Sequence, residues 1–108
     1  MQVIYHLFPP TPKEPLRFRI SRPQDNGKVE MVAFTYAVEI DGSYQLWREC
    51  GEIFDSQLGA NNFGNAMDEP EASRRLEREI RDIANTLMTR DAGEGNVPRL
   101  ILHPKQDT

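Results

Sequence analysis

The chain has 108 residues, of which 28% are charged and 38% hydrophobic. It is long enough for one domain with its own core, and collagen-like and membrane-embedded classes are excluded. A net charge of −4 argues against broad, non-specific binding to nucleic acid, which depends on neutralising phosphates. The single cysteine, Cys50, cannot form an internal disulfide, and the opening VIYHLF is too short and lacks the basic flank of a signal peptide, so a reducing, cytoplasmic setting is expected.

Residues 2–8, QVIYHLF, are β-branched, aromatic and apolar on both parities, which predicts a strand with both faces partly covered. His6 within it reads as a packed histidine, because no Cys, acid or second His stands at metal spacing in the sequence. Residues 9–15, PPTPKEP, are too rich in proline for helix or inner strand and predict a stiff connector.

Residues 16–22, LRFRISR, alternate. Leu16, Phe18 and Ile20 point one way, Arg17, Arg19 and Ser21 the other, and Arg22 follows at the end. Arg17, Arg19 and Arg22 form a candidate anion or nucleic-acid contact; the plainer reading is a solubilising outer face.

Asn26-Gly27 predicts a hairpin turn, followed by a long strand over 28–40. On that strand Val32, Phe34, Tyr36, Val38 and Ile40 share one face. Met31, Ala33, Thr35 and Ala37 share the other, and are small enough to let an element pack closely. Asp41-Gly42 predicts the turn into a return strand, 43–50. A two-residue turn pairs Tyr36 with Trp47. A wider loop pairs Val38 with Leu46 and sets Phe34 beside Cys50. The hydrophobic faces favour the wider loop, and with it Tyr44, Leu46 and Cys50 in the core and Trp47 facing outward. An outward Trp47 flanked by Arg48 is a typical interface anchor, although Trp also packs into small secondary clusters.

Residues 51–68 mix Gly and Asn with Ile53, Phe54, Leu58, Phe63 and Met67. A connector of this length is often functional, and a short strand or helical turn around 53–58 would shorten it. Asn61, Asn62 and Phe63 are candidate partner contacts; GANNFG has neither the spacing of a dinucleotide turn nor the Lys of a phosphate loop.

Residues 69–90 carry the clearest period. Leu76, Ile80, Ile83 and Leu87 fall within a roughly 60° arc, which predicts an amphipathic helix lying on the sheet. Asp68 is placed to cap it, Pro70 lies in the first turn, and Gly93 and Gly95 end it. Arg74, Arg78 and Arg81 share the opposite arc as a candidate partner-binding ridge. Charge on an exposed helix face is usually solvation, and i,i+4 pairs such as Glu77–Arg81 are available. A last strand over 99–103, bracketed by Pro98 and Pro104, suits an edge.

The fold expected for 1–108 is therefore a single α+β domain. It has a four- to five-stranded, mainly antiparallel sheet packed by one long helix in the C-terminal half (about 69–90), then a short edge strand. Whether that edge strand pairs with the first is left open by the sequence. No catalytic constellation, metal site or cofactor is expected. A Cys50–His6 or Cys50–His103 pair is not compelled by spacing, and two histidines without neighbouring ligands make a poor zinc site.

The expected function is that of a small non-catalytic protein-binding module. Inhibitors, antitoxins, immunity proteins and phage-encoded blockers of host or defence complexes share this size and acidity. Its expected contacts with a protein partner are Tyr44, Trp47, Arg48, Asn61, Asn62, Phe63, Arg74, Arg78 and Arg81. The alternative is a nucleic-acid accessory using Arg17, Arg19, Arg22 and the helix arginines. No membrane contact is expected.

Overall fold

The structure, a computed structural model, describes residues 1–23, 29–50, 59–62 and 66–105. In chain order the elements are β1 (Gln2–Phe8), β2 (Arg17–Pro23), β3 (Val29–Ile40), β4 (Ser43–Cys50), β5 (Gly59–Asn62), α1 (Glu69–Gly93) and β6 (Val97–Leu102). They form one sheet in the order β5-β4-β3-β2-β1-β6, covered on one face by α1. The expected α+β layout is observed: a mostly antiparallel sheet, one long helix and an edge strand. The four-residue β5 extends the sheet beyond β4. β6 pairs with β1, and this is the parallel pair in the sheet. No helix among the described residues is long and apolar enough to cross a membrane.

The helix follows from its period. Leu76, Ile80, Ile83 and Leu87 are each at most 1% exposed and lie on Tyr5, Leu7, Phe18, Ile20, Ala33 and Leu46. The Asp68 side chain accepts from the Glu71 N–H at 2.8 Å, satisfying one of the free donors of the first turn. The helix runs past residue 90 to Gly93. The last turn closes through N–H donors of Glu94 and Asn96 to the Asp91 carbonyl, and Gly95 takes the positive φ of 87°.

The β3–β4 hairpin departs from the expected register. Asp41 and Gly42 both have positive φ, 51° and 83°, as a two-residue type I′ turn requires. Tyr36 therefore pairs with Trp47 and Leu46 with Ala37, and the Val38–Leu46 pairing of a wider loop is not formed. The core face of β3 is the small one: Ala33 and Thr35 are buried, whereas Val38 and Ile40 are 37% and 44% exposed. The physical reason is volume. The helix backbone comes close enough for the Thr35 hydroxyl to reach the Leu76 carbonyl at 3.4 Å, and Phe or Tyr beneath it would hold α1 away. Leu46 then fills the space opposite Ala37.

The Asn26-Gly27 turn and the suggested element around 53–58 lie outside the described residues. Met67 exchanges two backbone hydrogen bonds of 2.9 Å with Tyr44 and is buried just before the start of the helix.

Candidate functional site

Among the described residues, one helix covers one face of the sheet and no second element covers the other. Strand alternation decides what stands there. From β1 come Ile4, His6 and Phe8, and from β2 Arg17 and Arg19. From β3 come Phe34 and Tyr36, and from β4 Trp47 and Glu49. Beyond β1, Arg99 and Ile101 of β6 stand beside Ile4 and His6. Apart from exposed Arg99, these side chains are half-buried.

Arginine and aromatic groups interleave on this face. The Arg17 guanidinium sits 4.5 Å from the Phe34 ring centre and 5.7 Å from that of Tyr36, and Arg17 also meets Glu14 at 3.3 Å. Arg19 lies 5.3 Å from the Phe8 ring. Such contacts let the arginine side chains pack over the rings of the neighbouring strands. The Tyr36 hydroxyl donates to Glu49 at 3.1 Å; burial and that carboxylate push its phenol pKa up.

The expected contact residues are distributed over several surfaces. Trp47 is on the open face beside Tyr36, as an outward tryptophan would be. Tyr44 and Arg48 are on the helix side, opposite Glu39 and Thr35. Tyr44 lines a cavity of about 360 Å³ with Leu16, Ala37 and Glu69. Asn61 and Asn62 belong to β5, pairing with Arg48 and Trp47, and Phe63 lies outside the described residues. Arg74, Arg78 and Arg81 are exposed along the outer side of α1, with Arg81 meeting Glu77 at 3.4 Å. The sheet thus separates the helix ridge from Arg17 and Arg19, and the two arginine groups do not merge.

Arg22 does not join Arg17 and Arg19. A register shift falls between Ile20 and Ser21, and Arg22 keeps the parity of Phe18 and Ile20. It turns under the helix end, 3.7 Å from Asp91 and 6.0 Å from the Tyr5 ring. Tyr5, fully buried, donates its hydroxyl to Asp91. Burial and the neighbouring carboxylate push the Tyr5 phenol beyond its usual range. An acid in the last helical turn opposes the helix dipole; here Tyr5 and Arg22 compensate it.

Sequence reasoning also missed a meeting of histidines. Parallel pairing of β1 with β6 brings His6 Nδ1 within 2.9 Å of His103 Nε2, and Phe8 stacks on His103 with ring centres 4.3 Å apart. Ninety-seven residues separate the two histidines, so no local spacing signals the pair. Among the described residues no three His, Cys, Asp or Glu side chains gather as a metal site. Cys50 is on β4, three strands from β1, or about 14 Å at ordinary strand spacing. Comparison with protein families, with curated proteins and with solved structures finds no match to this chain.

Proposed function

We propose that this protein is a small non-catalytic binding module that occupies the surface of a protein partner with the open face of its sheet. The supporting observation is the row of Phe34, Tyr36 and Trp47 beside Arg17 and Arg19, on the side away from α1. Aromatic residues and arginine are the types that anchor protein interfaces, since they offer large apolar area together with fixed donors. Six strands span about 24 Å, and strands of ordinary length give the face a plan area of about 500 Å². That is about three fifths of the ~800 Å² that each partner contributes to a standard interface.

The helix ridge is the secondary contact. It lies on the opposite side of the domain, and a partner on the sheet cannot also reach it without wrapping round an edge.

Capture from lysate of the source cell, followed by competition with purified variants, tests the reading. Trp47→Ser and Tyr36→Ser are expected to abolish stoichiometric capture while the far-UV circular dichroism is retained. The triple change Arg74, Arg78 and Arg81 to Glu should leave capture largely intact. Capture insensitive to Trp47 and Tyr36 refutes the open face, and a dimer in sedimentation that these variants dissolve would identify a second copy as the occupant.

A single-stranded nucleic acid is the second reading. Arg17, Arg19 and Arg99 stand on this face against Glu49, beside rings on which bases stack. Absence of binding to single-stranded RNA and DNA at low salt removes it; binding that weakens steeply with salt and with Arg19→Gln would displace the protein-partner reading.

A further inference from the structure

Where β1 and β6 end side by side, the open face hollows into a cavity of about 240 Å³. Phe8 and His103 form its floor, Pro9 and Pro104 part of its walls, and Arg19 and Lys105 supply positive charge. The cavity follows from the topology. β1 and β6 are parallel, so both chains leave the sheet at the same end, and the His103 N–H still bonds the Leu7 carbonyl at 3.0 Å before each chain meets its proline. Neither proline has a backbone N–H to continue the pairing, and the space between the two strand ends is lined by Pro9, Thr11, Pro104 and Lys105.

The polar groups around this space are mostly donors. Among the described residues, neither Arg19 nor Lys105 has a carboxylate within ion-pair distance, in a chain whose net charge is −4. The Thr11 hydroxyl, also on the wall, accepts from the Glu14 N–H at 3.2 Å, which leaves its own proton to donate. His6 and His103 share a hydrogen bond, and when His6 Nδ1 donates, His103 keeps its proton on Nδ1. The Arg19 guanidinium lies over the Phe8 ring, 5.3 Å from its centre, which places its planar fork at the cavity.

Donors and two cations, with no acid among the described residues that line the cavity, suit an oxyanion. The volume is below the ~300–1,000 Å³ of drug-sized pockets, which restricts the ligand to a small one. We propose that this cavity binds the phosphate group of a small phosphomonoester, with Arg19 as the fork, Lys105 as the second cation, and the organic part against Pro9 and Pro104. The site needs no protein partner, and its test is separate from that of the docking face.

The test is titration of the isolated full chain with phenyl phosphate, inorganic phosphate and phenol, followed by the ring NMR signals of His103 and Phe8. Saturable binding of phenyl phosphate is expected, with phenol causing no comparable shift. Arg19→Gln should weaken it about tenfold or more, as loss of a charge-assisted hydrogen bond implies, and exposed Lys105→Gln should weaken it without any effect on folding. Lys13→Gln, on the exposed connector outside the cavity, should leave it unchanged. Equal affinity for inorganic phosphate supports the same chemistry with the free anion as ligand. Absence of saturation, phenol binding as tightly as its ester, or full affinity in both Arg19→Gln and Lys105→Gln would overturn the proposal.

Discussion

Replacing Asp91 by alanine probes the polar contact that ties the end of α1 to the sheet. The carboxylate is 3% exposed, accepts from Tyr5, and lies 3.7 Å from Arg22. Its loss leaves the buried Tyr5 hydroxyl without a partner, a penalty of about 1–3 kcal/mol. Arg22 keeps a quarter of its side chain in solvent, so its share is at most about 1 kcal/mol. Against this, alanine is the better helix former and removes a negative charge from the C-terminal end, together a gain of about 1 kcal/mol. The net expectation is a loss of up to about 3 kcal/mol, at its upper end a sizeable part of the ~5–15 kcal/mol by which domains are stable. Tyr5→Phe should also cost about 1–3 kcal/mol, because it strips the buried carboxylate of a donor. The double variant leaves neither group stranded, so it should be less destabilised than the two single changes together by about 1–2 kcal/mol. Urea unfolding of all four proteins, followed by Trp47 fluorescence, measures this coupling. Additivity within about 0.5 kcal/mol would refute the argument that the two groups form one buried unit.

Two further outcomes rest on the same packing. Thr35→Leu enlarges a fully buried side chain under the Leu76 carbonyl and should cost about 1–3 kcal/mol by forcing α1 off the sheet; a neutral result in thermal unfolding would show that the helix does not depend on a small residue there. The raised Tyr5 pKa predicts an alkaline slope. The folded state holds the phenolic proton more tightly than the unfolded chain. Stability from this source is therefore complete below the ordinary tyrosine value of about 10 and is lost as pH rises from there towards the folded value. Tyr5→Phe should flatten the slope above pH 10 in denaturant titrations, and an unchanged slope would contradict it.

Which parts of this were legible depended on how local the governing interaction is. The stripe of Leu76, Ile80, Ile83 and Leu87, the Asp68 cap and the alternation of Leu16, Phe18 and Ile20 are local patterns, and each was readable in sequence. Arg22 shares its charge with Arg17 and Arg19 but its parity with Phe18 and Ile20, and parity decides which face it takes. Hydrophobic matching favours the wrong β3–β4 register, and turn chemistry favours the right one. Asp-Gly dictates a two-residue turn, and its consequence is that the bulky side chains of β3 face away from the helix. The His6–His103 pair and the Tyr5–Asp91–Arg22 group join residues from opposite ends of the chain, and nothing in either neighbourhood announces them.

The amino-acid sequence by itself determined the strand and helix periods, the helix start and the presence of one apolar layer, because those depend on side chains a few residues apart. The tertiary structure decided which face of the sheet the helix covers. That choice is settled by volume: a helix approaches closely over Ala33 and Thr35 and cannot do so over Phe34 and Tyr36. The aromatic and arginine face proposed for binding is the remainder of that choice. The phosphate cavity likewise exists because a parallel pairing brings the ends of β1 and β6 to one place.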